Sequence, residues 1–262
     1  MRILHLFTPK KVILLSGLVG TAVGALIGIY FLKKGFNLGR AVRMPTAAGW
    51  AVPAIMAMLL IFLLVKPDFI FFSQAGPGSR HVPLLIGLGI GLVVGFLAQR
   101  TRMCFVGAWR DLFLVKDSYL VLAVVGVLVG AFALNIALGQ FSLGFDNQPI
   151  SHADHLGNFL GMTVVGLGAT LVGGCPLRQL IMAGEGDTDA GVTVLGLLVG
   201  AAVAHNFGLA SSAAGPTMGG KAAVVIGLLV VLALGFVFRE KIAAVHRIVA
   251  KGQVEQSTTD SK

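Results

Sequence analysis

Seven long apolar stretches, separated by short polar or basic segments, set the pattern of this chain. A helix needs roughly 20 apolar residues, at 1.5 Å rise each, to cross the hydrocarbon core of a bilayer. Each stretch approaches that length. They run from Val12 to Phe31, Ala47 to Val65, Val82 to Gln99, Tyr119 to Leu138, Leu156 to Val172, Gly191 to Phe207 and Ala222 to Phe238. None shows the apolar/polar alternation of a lipid-facing barrel strand. The third and fifth are short and glycine-interrupted, and a cysteine motif follows each at once. Interrupted segments in matching places predict discontinuous helices that line a midplane site. The expected fold is an all-α membrane protein of about seven spans, with short broken or re-entrant helices carrying the cysteines and a partial inverted-repeat transporter architecture.

Composition narrows the class. Of 262 residues, 56% are hydrophobic and 12% charged, against about a quarter charged in soluble domains. That excludes a soluble globule and a disordered chain. Glycine is frequent, at 36 residues, but has no triplet period; close helix packing in lipid accounts for it. Two cysteines build no disulfide framework, and no Cys-x-x-Cys pair suggests zinc. Neither a metal nor a cofactor is expected. The net charge of +9 comes from Lys and Arg at the ends of apolar runs. These read as membrane-face anchors, so the lipid bilayer is the expected partner and nucleic acid is not.

The run after Lys10 and Lys11 is too long for a secretory h-region and has no A-x-A site, so it reads as a retained span. Arg239, Lys241, Arg247 and Lys251 favour a cytoplasmic C-terminus. The segment 140–155, with Asp146 and Asp154, suits the outer side. Seven full spans then put Met1 outside, against Arg2, Lys10 and Lys11. Either one segment is re-entrant or the chain begins within the architecture. A multi-pass protein of the cell inner (cytoplasmic) membrane is expected.

Val19-Gly20-Thr21-Ala22-Val23 matches Val199-Gly200-Ala201-Ala202-Val203, and Pro45-Thr46 before an apolar run matches Pro216-Thr217. The first two spans look like a copy of the last two, with chance similarity among Gly/Ala/Val-rich helices as the alternative. The expected division is 1–66 as the last two spans of a first repeat, 67–240 as a complete Cys-bearing second repeat, and 241–262 as a polar cytoplasmic tail. A second half-chain, or a second copy, is then a candidate partner.

The chemistry concentrates at the cysteines. In Gly173-Gly174-Cys175-Pro176-Leu177-Arg178-Gln179, proline suits the first helical position, which puts Cys175 at the N-cap. Gly173 and Gly174 form a pliable entry whose backbone can approach a ligand. A helix N-terminus presents unpaired N–H groups and attracts anions, and Arg178, one turn up the helix, adds fixed charge. In Arg102-Met103-Cys104-Phe105-Val106-Gly107-Ala108-Trp109-Arg110-Asp111, Gly107 gives room beside Cys104 and Asp111 can pair with an Arg. The bland alternative is two inert, packed thiols. Arg100 and Lys116 read as snorkelling anchors. Gln179, His205 and Asn206 are candidate polar lining; for the span residues His205, Asn206 and Asn135, helix-to-helix hydrogen bonding is an equal reading. Glu185, Asp187 and Asp189 fit no EF-hand loop and read as a solvated turn. His152 and His155 receive no role.

Arg102-Met103-Cys104-Phe105, Gly174-Cys175-Pro176-Leu177-Arg178-Gln179-Leu180, Ala183-Gly184-Glu185-Gly186 and His205-Asn206-Phe207-Gly208-Leu209-Ala210 together resemble the YeeE/YedE sulfur-transport family, closest to its YedE-type branch associated with selenium. The resemblance implies two pseudo-symmetric halves whose broken helices hold cysteines along a narrow path. It implies that Cys104 and Cys175 relay the substrate; Arg110 and Arg178, by their charge and position beside the cysteines, are expected to supply the offsetting charge. The chain departs from the family in lacking a Cys-bearing unit in its first half. The expected function is passage of a small selenium- or sulfur-containing species by a transporter rather than an enzyme. Thiosulfate uptake by the same mechanism is the alternative. No ATP-binding motif is present. The rivals are a membrane thiol oxidoreductase using the two cysteines as a redox pair, and a structural membrane subunit.

Overall fold

The computed structural model describes residues 13–39, 49–68, 82–139, 154–212 and 215–239. Pro45 and Thr46 of the sequence repeat, Asp146, His152, and the tail residues Lys241, Arg247 and Lys251 lie outside the described residues. Among those described, the chain forms α1 (Ile13–Lys33), α2 (Ala51–Val65), α3 (Leu84–Thr101), α4 (Phe105–Leu114), α5 (Tyr119–Ala137), α6 (His155–Val172), α7 (Pro176–Gly184), α8 (Thr188–Asn206) and α9 (Met218–Val237). Apart from two isolated bridges, no strand occurs among the described residues. The long helices follow the apolar stretches closely. Six are long and apolar enough to cross a membrane, and α2, with 15 residues, is a shorter apolar helix. The chain is an all-α membrane protein.

Two compact units are present. One comprises 1–39, 104–175 and 199–262; the other comprises 40–103 and 176–198. The chain passes from one to the other directly before Cys104 and directly after Cys175.

In the first unit, α1 and α6 pack most extensively, and glycine is the reason. A Cβ at Gly24 would run into the Thr163 carbonyl and the Leu167 backbone, and one at Gly166 into the Thr21 carbonyl. Small residues let backbones approach where lipid provides no hydrophobic drive between helices. The buried threonines on this face satisfy themselves within their own helices: Thr21 Oγ1 donates to Gly17 O at 2.9 Å and Thr170 Oγ1 to Gly166 O at 2.8 Å. Below this seam, Phe31, Leu167 and Leu171 form a core with α9 side chains Leu228, Val231 and Leu232. Phe31 meets Phe236 edge to face at 5.0 Å, a favoured aromatic geometry. Asp154 caps α6 by accepting the Gly157 N–H at 2.7 Å and pairs with Lys221 Nζ of α9 at 2.6 Å. No residue of α5 is buried, as suits a helix whose apolar surface lipid covers.

In the second unit, α3 meets α7, and Gly191 of α8 lies against Val52 of α2. Val52, Met56, Leu180 and Thr188 help line an apolar cavity of about 450 Å³. Asp187 caps α8, accepting the Ala190 N–H at 2.9 Å, which gives the acidic turn a structural task.

Candidate functional site

Both cysteines follow the same local construction. Helix α3 closes with Arg102 in the left-handed region (φ 52°, ψ 34°). The Arg102 N–H donates to Gln99 O at 3.2 Å and the Met103 N–H to Ala98 O at 3.1 Å. Helix α6 closes with Gly173 (φ 88°); its N–H donates to Thr170 O at 3.3 Å and the Gly174 N–H to Ala169 O at 2.9 Å. This paired closure satisfies the last carbonyls of a helix. In each case a cysteine comes next and a short helix begins, α4 with 10 residues and α7 with 9.

Helix α7 starts at Pro176, as proline's missing N–H favours. The start of α4 was not legible, because cysteine is not among the usual capping residues. Cys104 nonetheless serves as the N-cap, in an extended conformation, and its Sγ accepts the Gly107 N–H at 3.1 Å. Gly107 also makes room: a Cβ there would lie 2.9 Å from Cys104 Cβ and 3.0 Å from Sγ.

A second N–H reaches the same sulfur. The Cys175 backbone donates to Cys104 Sγ at 3.2 Å. Cys104 is 5% and Cys175 3% exposed. Two thiols 71 residues apart in sequence thus meet in the interior, where the N–H groups of Gly107 and Cys175 face one sulfur. Partial positive charge at the starts of two helices converges on a soft, polarisable atom.

Arg110 lies beside this pair and is shared. Its Nε donates to Asp111 Oδ1 at 2.8 Å and its Nη1 to Gly173 O at 3.5 Å. The guanidinium sits where a cation offsets the C-terminal dipole of α6, and Asp111 neutralises part of the charge expected to attract an anion. The structure therefore gathers Cys104, Cys175, Gly173 and Arg110. Arg178 and Gln179 belong to the second unit. Gln179 is buried, and Arg178 Nη2 lies 3.9 Å from Glu185 Oε2. Its Nη1 is buried without a hydrogen-bond partner among the described residues. His205 and Asn206 are exposed at the end of α8, with the Asn206 amide turned onto Ala202 O of its own helix. Asn135 is exposed on α5. Arg100 lies over the Phe96 ring at 5.6 Å, in keeping with an anchor.

A protein-family model described as sulphur transport matches residues 100–261. Among curated relatives, the thiosulfate transporter TsuA of Spirochaeta thermophila is 39% identical over 105 residues, 40% of this chain and 31% of its own. TsuA of Escherichia coli is 35% identical over 124 residues, covering 46% and 34%. An undecaprenyl-diphosphatase of Corynebacterium striatum is 34% identical over 113 residues, covering 42% and 37%. The chain thus matches only 31% to 37% of the length of these relatives. No solved structure matches it. The matched region takes in both cysteine motifs and more than half of the sequence, and the chain belongs to the sulphur transport (YeeE/YedE) family.

Proposed function

We propose that this chain carries thiosulfate, or a closely similar thio-anion, across the cytoplasmic membrane through the Cys104–Cys175 contact. The observation that supports the reading is the 3.2 Å donation from the Cys175 N–H to Cys104 Sγ, between two buried cysteines. A thiosulfate ion has a large, polarisable terminal sulfur and a charged sulfonate end. A thiol offers that sulfur a weak hydrogen bond, where a carboxylate would repel it. The N-terminus of α4 favours negative charge, and Arg110, which donates to Gly173 O, supplies a cation nearby. Weak successive contacts suit conduction, because a ligand must leave as readily as it enters.

Selenium species, the first expectation from the sequence, rank second here, because the similar transporters bear the name of thiosulfate. The test is uptake of ³⁵S-thiosulfate by cells expressing the chain, with a selenium oxyanion as competitor. Cys104→Ser and Cys175→Ser should each lower uptake by at least about tenfold, equivalent to about 1.4 kcal/mol, at equal protein level. Full uptake by the double variant overturns the reading. Competition by the selenium compound at concentrations well below those of thiosulfate would reverse the order of substrates.

A further inference from the structure

Two buried thiols in contact are chemically more than two weak hydrogen-bond donors. We propose that Cys104 and Cys175 form a dithiol that reacts with polythionates, the S–S-linked oxidation products of thiosulfate, and that the resulting disulfide stops transport. The inference rests on the transport reading for the route by which such an anion arrives, and it adds a second class of reactant at the same site.

Three observations carry it. The first is reach. Cys175 N is 3.2 Å from Cys104 Sγ, so with an N–Cα bond of about 1.46 Å the Cys175 Cα lies within about 4.7 Å of that sulfur. Both are free, buried thiols. The second is local freedom. Each cysteine stands at a junction between helices, Cys104 extended before α4 and Cys175 between Gly174 and Pro176. Neither cysteine lies inside a helical turn, and Cys104 Sγ is already turned towards Cys175, whose N–H it accepts. The third is burial. At 5% and 3% exposure, the pair is closed to bulky peptide disulfides. A polythionate is a narrow sulfur chain whose sulfonate ends match those of thiosulfate.

The chemistry balances with tetrathionate as the oxidant. Cys104 gives its proton to water, and its sulfur attacks an inner sulfur of tetrathionate. The central S–S bond breaks, and thiosulfate leaves with the electron pair. Cys104 then carries a sulfenyl thiosulfate adduct, Sγ–S–SO₃⁻. Cys175 gives its proton to water and attacks Cys104 Sγ; the Sγ–S bond breaks and a second thiosulfate leaves. Two thiols and one tetrathionate become one disulfide, two thiosulfates and two protons. The cysteine pair is oxidised by two electrons and the polythionate is reduced by two. The Gly107 and Cys175 N–H groups face the negative charge that the Cys104 sulfur carries during attack. Once closed, the disulfide offers no S–H to a passing anion.

The experiment treats the full chain in proteoliposomes with tetrathionate, and separately with thiosulfate as control. Tetrathionate should remove two hydrogens from the intact mass and yield a linked peptide containing Cys104 and Cys175. It should lower ³⁵S-thiosulfate uptake by at least about tenfold, with recovery after dithiothreitol; thiosulfate alone should leave the thiols open. Cys104→Ser and Cys175→Ser should stop at a single sulfenyl thiosulfate adduct on the remaining cysteine. Thiols that stay alkylatable after tetrathionate in a transporting protein overturn the proposal and leave the transport reading standing. A linked protein that transports at the original rate overturns the inhibitory step. Linkage in a protein that never moves thiosulfate overturns the transport reading instead.

Discussion

Arg102 and Gly173 occupy the same left-handed position at the ends of α3 and α6, two residues before Cys104 and Cys175 respectively. Each stops a span by turning its N–H, and that of the next residue, back onto the helix it ends. The closure then releases a cysteine in front of a new helix. The two motifs are built alike, so each cysteine sits at a helix start, and the Cys104 sulfur accepts the N–H groups of both Gly107 and Cys175.

The two closures respond differently to substitution. A Cβ at Gly173 meets no atom within 4 Å, so only its φ of 88° demands glycine. Gly173→Ala should cost about 1 kcal/mol. Arg102→Gly relieves left-handed strain but enlarges the freedom of the unfolded chain, so it should be neutral within about 0.5 kcal/mol. Unfolding of the detergent-solubilised protein measures both. A Gly173→Ala protein as stable as the parent contradicts the assignment.

Gly107→Ala should act on the sulfur rather than on the fold as a whole. The added methyl would crowd Cys104 Cβ and Sγ and approach Leu120 Cδ1 at 3.2 Å. Overpacking of this kind costs about 1–3 kcal/mol, and the cheapest relief is displacement of the thiol. Thiosulfate uptake should fall about tenfold with helix content, by circular dichroism, unchanged. Unaltered uptake would show that the Gly107 side of the contact is dispensable.

Glycines on α1 and on α3 should behave in opposite ways. Gly24→Ala drives a methyl into the backbone of α6 and should cost about 1–3 kcal/mol. Gly89→Ala on α3 meets open space and should be neutral or stabilising by up to about 1 kcal/mol, through helix propensity. Thermal stability in the same detergent compares the pair. Equal effects would argue against the close α1–α6 seam.

At the start of α6, capping and charge can be separated. Asp154→Ala removes the Gly157 contact and should cost about 0.5–2 kcal/mol. Asp154→Asn keeps an acceptor for that N–H and loses only the pairing with Lys221, whose side chain is 47% exposed, so its cost should stay below about 1 kcal/mol. The ratio of the two losses is the readout; an Asn variant as damaged as the Ala variant would make the ion pair dominant.

The sequence by itself determined where the long apolar helices lie. Hydropathy is local, and the stretch from Tyr119 to Leu138 became α5 (Tyr119–Ala137), the stretch from Leu156 to Val172 became α6 (His155–Val172), and Pro176 opened α7. It also marked both cysteines, because interruption of an apolar run is visible in one dimension. It did not show Cys104 as a cap, since a sulfur acceptor for the Gly107 N–H leaves no familiar signature. Nor did it show that Asp154 and Asp187 spend their carboxylates on helix starts. Only the tertiary structure decided that the Cys175 N–H meets Cys104 Sγ. That contact depends on which small-residue faces pack together. In a chain with 36 glycines, many faces are small enough, and the selection is made by whole-helix packing rather than by any one segment.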